Sequence, residues 1–524
     1  MKRLIILLIV VLFGCQPAFN QIHIDIDPYS IRNDVDPSDI PLETMPPLDL
    51  ASLLSEDILD EQNGIPPRFG YAHVVDYNLK NSGIWKQLPN GNKIWFLKIT
   101  CPNATSINLL YDRFWLPENA EFYIYCDDKR NKLGMFSHRN NKGPRDLIKG
   151  FATGLIFRES IIVEYYEPKE VAGQGIISIA KVVHGYKGFG TESFGGSGDC
   201  QVNVNCNPES NNWQIEKQSV AMMLVHGDRI CTGSLINNAD LDGDPLFLTA
   251  DHCIWPSDAI TNSDLSFWTF WWNYESAGCS DGTDFIAEST SGATLIANNT
   301  ETDFALLRLD EDPLDDEIDV YFNGWNREET QPEGGVGIHH PGGDIKKIST
   351  HEITPDTSDC MNFEFHDFIL PNSAFWKINW METIHGWSVT EGGSSGSPLY
   401  TSDHRVIGQL FGYGYCDNPN CSDPENDIAN YGRIFSSWNR HATESRRRLR
   451  DWLEPDNILT ELPGLKMLRT STIDSDTPVN GDHVRFINVT IDSGADIAVE
   501  FNDSFEASGT FSAPAGTTLE IEPL

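Results

Sequence analysis

Three short stretches of this chain hold a histidine, an aspartate and a serine in surroundings suited to nucleophilic catalysis. His252 lies in Thr249-Ala250-Asp251-His252-Cys253, Asp303 in Thr302-Asp303-Phe304-Ala305-Leu306-Leu307, and Ser395 in Gly392-Gly393-Ser394-Ser395-Gly396-Ser397-Pro398. A serine hydroxyl is a poor nucleophile at neutral pH. It needs a base to take its proton and a carboxylate to orient that base. Glycines 392, 393 and 396 permit a tight turn in which the N–H groups of Gly393 and Ser395 converge where a carbonyl oxygen would become an oxyanion. Taken singly, 392–398 reads equally as a Ser/Gly-rich surface turn, and a lone His as structural. The three in order point to acyl transfer. Ser397 breaks the G-x-S-x-G nucleophile elbow, and the order His, Asp, Ser also argues against an α/β-hydrolase.

The elements that must position these residues are short apolar runs. Pro245 to Ala250 reads as a buried strand ending just before His252, and Phe304 to Leu309 as a strand starting just after Asp303. Cys231-Thr232-Gly233-Ser234-Leu235-Ile236 reads as a further strand, and a Cys231–Cys253 disulfide would staple the loop carrying the histidine.

These motifs resemble the trypsin/chymotrypsin superfamily, and within it the lysyl endopeptidase branch. The likeness runs from near Gly195 to near Pro455. It includes Gly198-Asp199-Cys200, Phe247 to Cys253, Trp272-Asn273-Tyr274, Gly337-Ile338-His339-His340-Pro341, Val389-Thr390-Glu391-Gly392, Tyr431-Gly432-Arg433 and Leu449-Arg450-Asp451-Trp452-Leu453. The resemblance implies two six-stranded antiparallel β-barrels with the site in the cleft between them. It also implies Ser395 as nucleophile, His252 as general base and acid, and Asp303 as its orienting carboxylate, with Gly393 and Ser395 as the oxyanion hole. Ser394 stands where many trypsin-like zymogens carry an Asp that pairs with the freed N-terminus, so this chain should not need that switch. Disulfides Cys200–Cys416, Cys206–Cys279 and Cys231–Cys253 are implied as well.

For specificity, the branch carries a pocket Asp two residues before Tyr-Gly-Arg, where this chain has Ala429. Asp427 lies two residues earlier and would fill the pocket floor if the loop after Cys416 is shifted; otherwise the floor lacks a charge and Asp427 is a solvated loop residue. Phe411, in Leu410-Phe411-Gly412 on the pocket wall, replaces a usual His. A desolvated Lys or Arg needs a carboxylate, so Asp427 favours cleavage after a basic residue.

The 524 residues exceed one typical domain, and the formal charge of −40 weighs against nucleic-acid binding. The eleven cysteines point to an oxidising compartment. Cys101 and Cys126 would close a loop; Cys360 and Cys421 are left to pair, unless Cys416 and Cys421 exchange partners. Lys2 and Arg3 followed by Leu4 to Phe13 read as a signal peptide over 1–21, too short to span a membrane. Leu12-Phe13-Gly14-Cys15 resembles a bacterial lipobox, which would lipidate Cys15; ordinary cleavage between Ala18 and Gln21 is the alternative. Either way the product is secreted or held at the cell envelope.

Beyond the leader, the chain divides into a β-rich region over 22–194, whose strand signals suggest a sandwich, a protease-like domain over 195–455, and a β-module over 456–524. The fold class is all-β. The first region resembles pro-regions that assist folding and cover the cleft, though a retained accessory domain fits as well. The last fits sorting or substrate binding. No metal or other cofactor is expected: His339 and His340 are adjacent and face opposite ways in a strand, and Asp240, Asp242 and Asp244 lack the Gly and Glu of a calcium loop. Arg446 to Arg448 reads as a solvated face. The expected partners are polypeptide substrates of a monomer. A binding or adhesion protein built on a protease fold is the competing reading, set apart by whether triad and oxyanion segment are complete.

Overall fold

The computed structural model describes residues 26–35, 39–127, 132–188, 196–254, 265–281, 288–365, 368–414, 421–440, 443–473, 478–492, 495–510, 512 and 517–523. As expected, it is mostly strand. Over 26–188, two sheets face each other. One contains Lys93–Thr100, Ser160–Glu167 and Glu121–Tyr125; the other runs Gly70–Asn78, Ile176–Gly185, Ser106–Trp115, Phe151–Ala152. Successive side chains point to opposite faces of a strand. Leu109 and Tyr111 therefore turn inward against Trp95, Leu97 and Val163. Leu110 turns outward and, with Ala152, Phe157 and Val183, meets Met222, Leu224 and Trp271. Within the second sheet, Ser106 to Tyr111 is buried on both faces.

The expected Cys101–Cys126 bridge is not formed; both are buried thiols. Each follows a strand that flanks Ser160–Glu167 on opposite sides. Two strand spacings, about 9–10 Å, exceed the reach of a disulfide.

Next in the chain come β1 (Val220–Val225), β2 (Arg229–Leu235), β3 (Leu246–Ala250) and β4 (Phe304–Leu309), consecutive neighbours in a seven-stranded antiparallel sheet. A nine-stranded sheet holds β5 (Gly335–His339), β6 (Pro398–Thr401), β7 (Val406–Gly412) and β8 (Ile428–Arg433). The implied six strands per barrel are exceeded because short edge pairings add to each, including Trp325, which bridges β7 to Glu461–Leu462. Leu246, Leu248, Phe304 and Leu306 of the first sheet share one core with Ile338, Tyr400 and Val406 of the second. Leu449, just before the short helix Arg450–Leu453, and Leu453 at its end close that core. Each such side chain contributes about 1.5–3 kcal/mol when fully buried, so the two sheets are held face to face and the loops at their seam are fixed relative to each other.

At the C-terminal end, Leu465–Arg469, Val479–Ile487, Asp496–Ser508 and Thr518–Pro523 pair parallel in chain order. Thr472–Ile473 and Thr490–Ile491 pair parallel within the connections, so the chain coils as a stack. Leu465 and Met467 join the core of the first barrel-like sheet.

Candidate active site

Strand register brings the first two residues together. β3 pairs with β4 so that Ala250 faces Phe304, and the residues just beyond each strand end must then meet. Asp251 N–H donates to the Asp303 carbonyl at 2.9 Å. His252 N–H donates to Asp303 Oδ1 at 2.9 Å, and His252 Nδ1 lies 2.9 Å from Asp303 Oδ2. Both side chains are buried. Asp303 holds φ at +52°, a left-handed conformation uncommon for a non-glycine residue. Asp251 braces the turn: its carboxylate accepts from Asn298 Nδ2 and Thr300 Oγ1, each at 2.7 Å, and burial, with Asp303 beside it, pushes its carboxyl up to about 6.

Ser395 arrives from the second sheet, three residues before β6. Its carbonyl accepts from Thr232 N–H at 2.8 Å, and Cys253 Sγ lies 3.8 Å from the same oxygen. The Cys231–Cys253 disulfide therefore ties β2 and the histidine turn together directly against the serine. Thr232 Oγ1 also donates to the Gly393 carbonyl at 2.8 Å. Gly393 adopts φ +96°, and a Cβ on Gly396 would collide with Thr249 Oγ1 and the Thr232 carbonyl, so both glycines are required. Among the described residues, neither the Gly393 nor the Ser395 N–H donates to a protein acceptor, and Ser395 Oγ makes no hydrogen bond to His252.

Asp427 lies just before β8 and is 1 % exposed, not solvated. Neither carboxylate oxygen has a hydrogen-bond partner. Burial, reinforced by Glu391, pushes its carboxyl up to about 8. Ala429 and Tyr431 of β8 pack with Val389 and Leu410, and alternation puts Asp427 on their face of the strand. Phe411 stands edge-on to the His252 ring, centroids 5.6 Å apart. Gly412 ends β7 at φ +133°.

Sequence reasoning missed several neighbours. Phe363 and Phe365, on a hairpin of Phe363–Phe365 and Phe368–Leu370, sit 5.9 and 5.4 Å from Phe411, with Phe365 6.3 Å from His252. The period-2 aromatics of Phe363-Glu364-Phe365 were the available signal. Glu391 accepts from Gly198 N–H at 3.0 Å and Gln201 Nε2 at 3.0 Å; only its contacts reveal it. Cys200 bonds to Cys421 instead of Cys416, while Cys206–Cys279 forms as implied. The exchange follows from position: Cys421 Sγ lies 3.2 Å from Cys200 N and 3.7 Å from Glu391 Oε1. Cys416 is outside the described residues, and Cys360 is disulfide-bonded. Arg448 is buried against Asp451 and Arg447 donates to Asn298 Oδ1, so 446–448 is not simply a solvated face.

An N-terminal segment reaches the same cleft. The helix α1 (Leu50–Gln62) ends at Gly64, φ +69°, with Gly64 N–H on the Glu61 carbonyl and Ile65 N–H on that of Asp60, a Schellman cap. Pro66 and Pro67 follow. The Pro67 carbonyl accepts from Ile230 N–H at 3.0 Å, and Arg229 donates to the Pro66 carbonyl and to Asp60, each at 2.7 Å. A Cβ on Gly392 would lie 3.5 Å from the Pro67 ring, and one on Gly64 2.9 Å from Phe365.

Two antiparallel sheets thus carry the candidate site, with His252 and Asp303 on one and Ser395 on a glycine loop of the other. Residues 194–430 match the family model for the lysyl endopeptidase C-terminal domain. A lysyl endopeptidase of Pseudomonas aeruginosa is 29% identical over 275 residues, 49% of this chain and 54% of that protein; the chain thus spans about half the length of the curated relative it matches. Similar solved structures include a Glu endopeptidase (16% identity, 48% of this chain and 98% of that one, TM-score 0.27). A serine endoprotease from Yersinia pestis is similar too (13% identity, 43% and 63%, TM-score 0.27). Over 194–430 the chain is lysyl-endopeptidase-like, the branch to which its motifs pointed.

Proposed function

We propose that this protein is a secreted or envelope-held serine endopeptidase that cuts polypeptides through Ser395, His252 and Asp303. The observation that carries this reading is the two-point grip of the Asp303 carboxylate on His252, across the seam from a serine whose loop keeps two N–H groups undonated. Ser395 Oγ attacks the scissile carbonyl carbon as His252 Nε2 takes its proton. Asp303 holds the Nδ1–H and stabilises the imidazolium. The oxyanion accepts from Gly393 and Ser395 N–H. His252 then protonates the leaving amine, the acyl-enzyme forms, and water repeats the cycle.

Specificity for a basic residue rests on Asp427, whose buried, unpartnered carboxylate is what a desolvated Lys or Arg requires. The region 22–194 acts as a pro-region that supports the protease fold and covers the cleft, a reading supported by the Pro66-Pro67 segment on β2. Its leader, including Cys15, lies outside the described residues. No helix among the described residues is long and apolar enough to cross a membrane, and an acylated Cys15 would be the membrane attachment. We infer a monomer that acts with no cofactor. The test is mass spectrometry of a mixed protein substrate digested by the purified, matured protein, with Ser395→Ala as control. Cuts after Lys and Arg that vanish in the control are expected. Cuts that persist in the control would overturn the mechanism, cuts after other residues would remove the role of Asp427, and no cuts at all would favour a binding protein.

A further inference from the structure

The histidine pair in Gly337-Ile338-His339-His340-Pro341 touches the loop that carries Ser395. His339 is fully buried at the end of β5, and its Nδ1 lies 2.8 Å from Ser394 Oγ. Its Nε2 lies 2.7 Å from Ser349 Oγ. Ser349 donates to Ser388 Oγ at 3.3 Å, and Ser388 to Gln201 Oε1 at 3.0 Å. Gln201 Nε2 donates to Glu391 Oε1 at 3.0 Å, and Glu391 N–H to Ser394 Oγ at 3.3 Å. Six residues thus close a ring of hydrogen bonds beneath the loop 391–395.

The ring fixes the protons. Gln201 Oε1 only accepts, so the Ser388 hydroxyl is spent on it and the Ser349 hydroxyl on Ser388. Ser349 must then accept from His339, which places the imidazole proton on Nε2. Nδ1 is left as an acceptor, and the Ser394 hydroxyl donates to it. Burial, with Lys347 nearby, pushes the His339 imidazole down to about 3, which keeps it neutral at any working pH. Its neighbour faces the other way: the His340 carbonyl would lie 3.1 Å from a Cβ on Gly393, and the Gly392 carbonyl accepts from Gly342 N–H at 2.7 Å. The strand end 339–343 therefore abuts every residue from 392 to 394.

We propose that His339 is a positioning residue for the oxyanion hole: as a neutral Nε2–H imidazole it anchors Ser394 and so aims the flanking Gly393 and Ser395 N–H groups. This rests on the assignment of those groups as oxyanion donors. A neutral buried ring thereby does here what an ion pair at position 394 does in other zymogens, and without a charge that activation must first create.

The two ring nitrogens make separable demands. In His339→Asn, the amide oxygen can stand in for Nδ1 and accept from Ser394. In His339→Gln, the longer side chain reaches toward Ser349 and leaves Ser394 unanchored. We expect His339→Gln and Ser394→Ala each to lower kcat about 10- to 100-fold, short of the roughly 10²–10³ lost with a whole oxyanion donor. KM should stay within about twofold. The double variant should be no worse than either single, and His339→Asn should recover most of kcat. Affinity for a peptide aldehyde, whose adduct places an oxyanion in the hole, should fall in step with kcat. Sites are counted by active-site titration, so a poorly folding His339→Gln lowers the count and leaves Ser394→Ala to decide. Unchanged kcat in Ser394→Ala, additive losses in the double variant, or equal losses in the Asn and Gln variants would overturn the proposal. In each of these cases a dead Ser395→Ala would leave the protease reading standing; an active Ser395→Ala would remove that reading instead.

Discussion

Asp427 is the residue whose burial makes the sharpest prediction. Burial pushes its carboxyl up to about 8, from 3.8 for an unperturbed Asp. The folded state therefore holds a proton that the unfolded chain has lost, and stability present below pH 3.8 declines as pH rises through about 8. Asp427→Asn removes that penalty and should unfold at a higher temperature than the parent at pH 9, but not at pH 3; equal melting temperatures at pH 9 would place the carboxylate in water. A Lys side chain reverses the preference by pairing with the ionised form. For Lys substrates kcat/KM should rise with pH through about 8, a limb absent in Asp427→Asn, which should also lose about 2–5 kcal/mol of transition-state binding to Lys over a neutral residue. The meeting of His252 and Asp303 was legible because each adjoins the end of an apolar strand, and Ser395 stood out by its glycine-rich turn. The burial of Asp427 was not legible, because a carboxylate two residues out of register fits a solvated loop as well as a pocket floor. Cys421 was misassigned for a related reason: Cys416 and Cys421 share one loop, and spacing does not separate them.

At the scale of elements, the histidine turn depends on β2 as much as on its own strand. Cys231 leaves β2 and binds Cys253 across 22 residues, and the same β2 segment donates from Thr232 to the Ser395 carbonyl. Closing a loop of this length stabilises by about 3 kcal/mol in the chain-entropy view. The double change Cys231→Ser and Cys253→Ser should cost about that much in urea unfolding. It should also lower kcat, because the serine and histidine turns lose their shared brace. Loss of stability with kcat intact would show that Thr232 alone keeps the two turns in place. The strands at this scale were legible from apolar runs and from alternation. The aromatic hairpin 363–370 was passed over because only the fold sets Phe365 beside His252. The two-faced burial of residues 106–111 was likewise hidden, since their second face is covered by another part of the chain.

The whole molecule is organised around that second face. Leu110, Ala152, Phe157 and Val183 seal Met222, Leu224, Ile230, Trp271 and Tyr274, so the sandwich and the first barrel-like sheet share a core. The segment after α1 extends this contact into the cleft, pairing Pro67 with Ile230 and setting its ring against Gly392. Residues 66 and 67 are both prolines, with no N–H to offer along a strand-like path, and Arg229 fastens the carbonyl of the first. With 22–194 in the proposed pro-region role, such a segment would compete with substrate for the ground beside the loop 392–395 without taking part in the chemistry. Competition of that kind raises KM and leaves kcat unchanged. In protein still carrying its N-terminal region, Arg229→Ala, or deletion of 64–68, should therefore lower KM for peptide substrates several-fold at constant kcat. Cleavage between 188 and 196 alone should change less, because the shared core keeps the sandwich in place. A fall in kcat on deleting 64–68 would mean that the segment supports the active loop. KM unmoved by either change would mean that substrate approaches only from the side of Phe365 and Phe411.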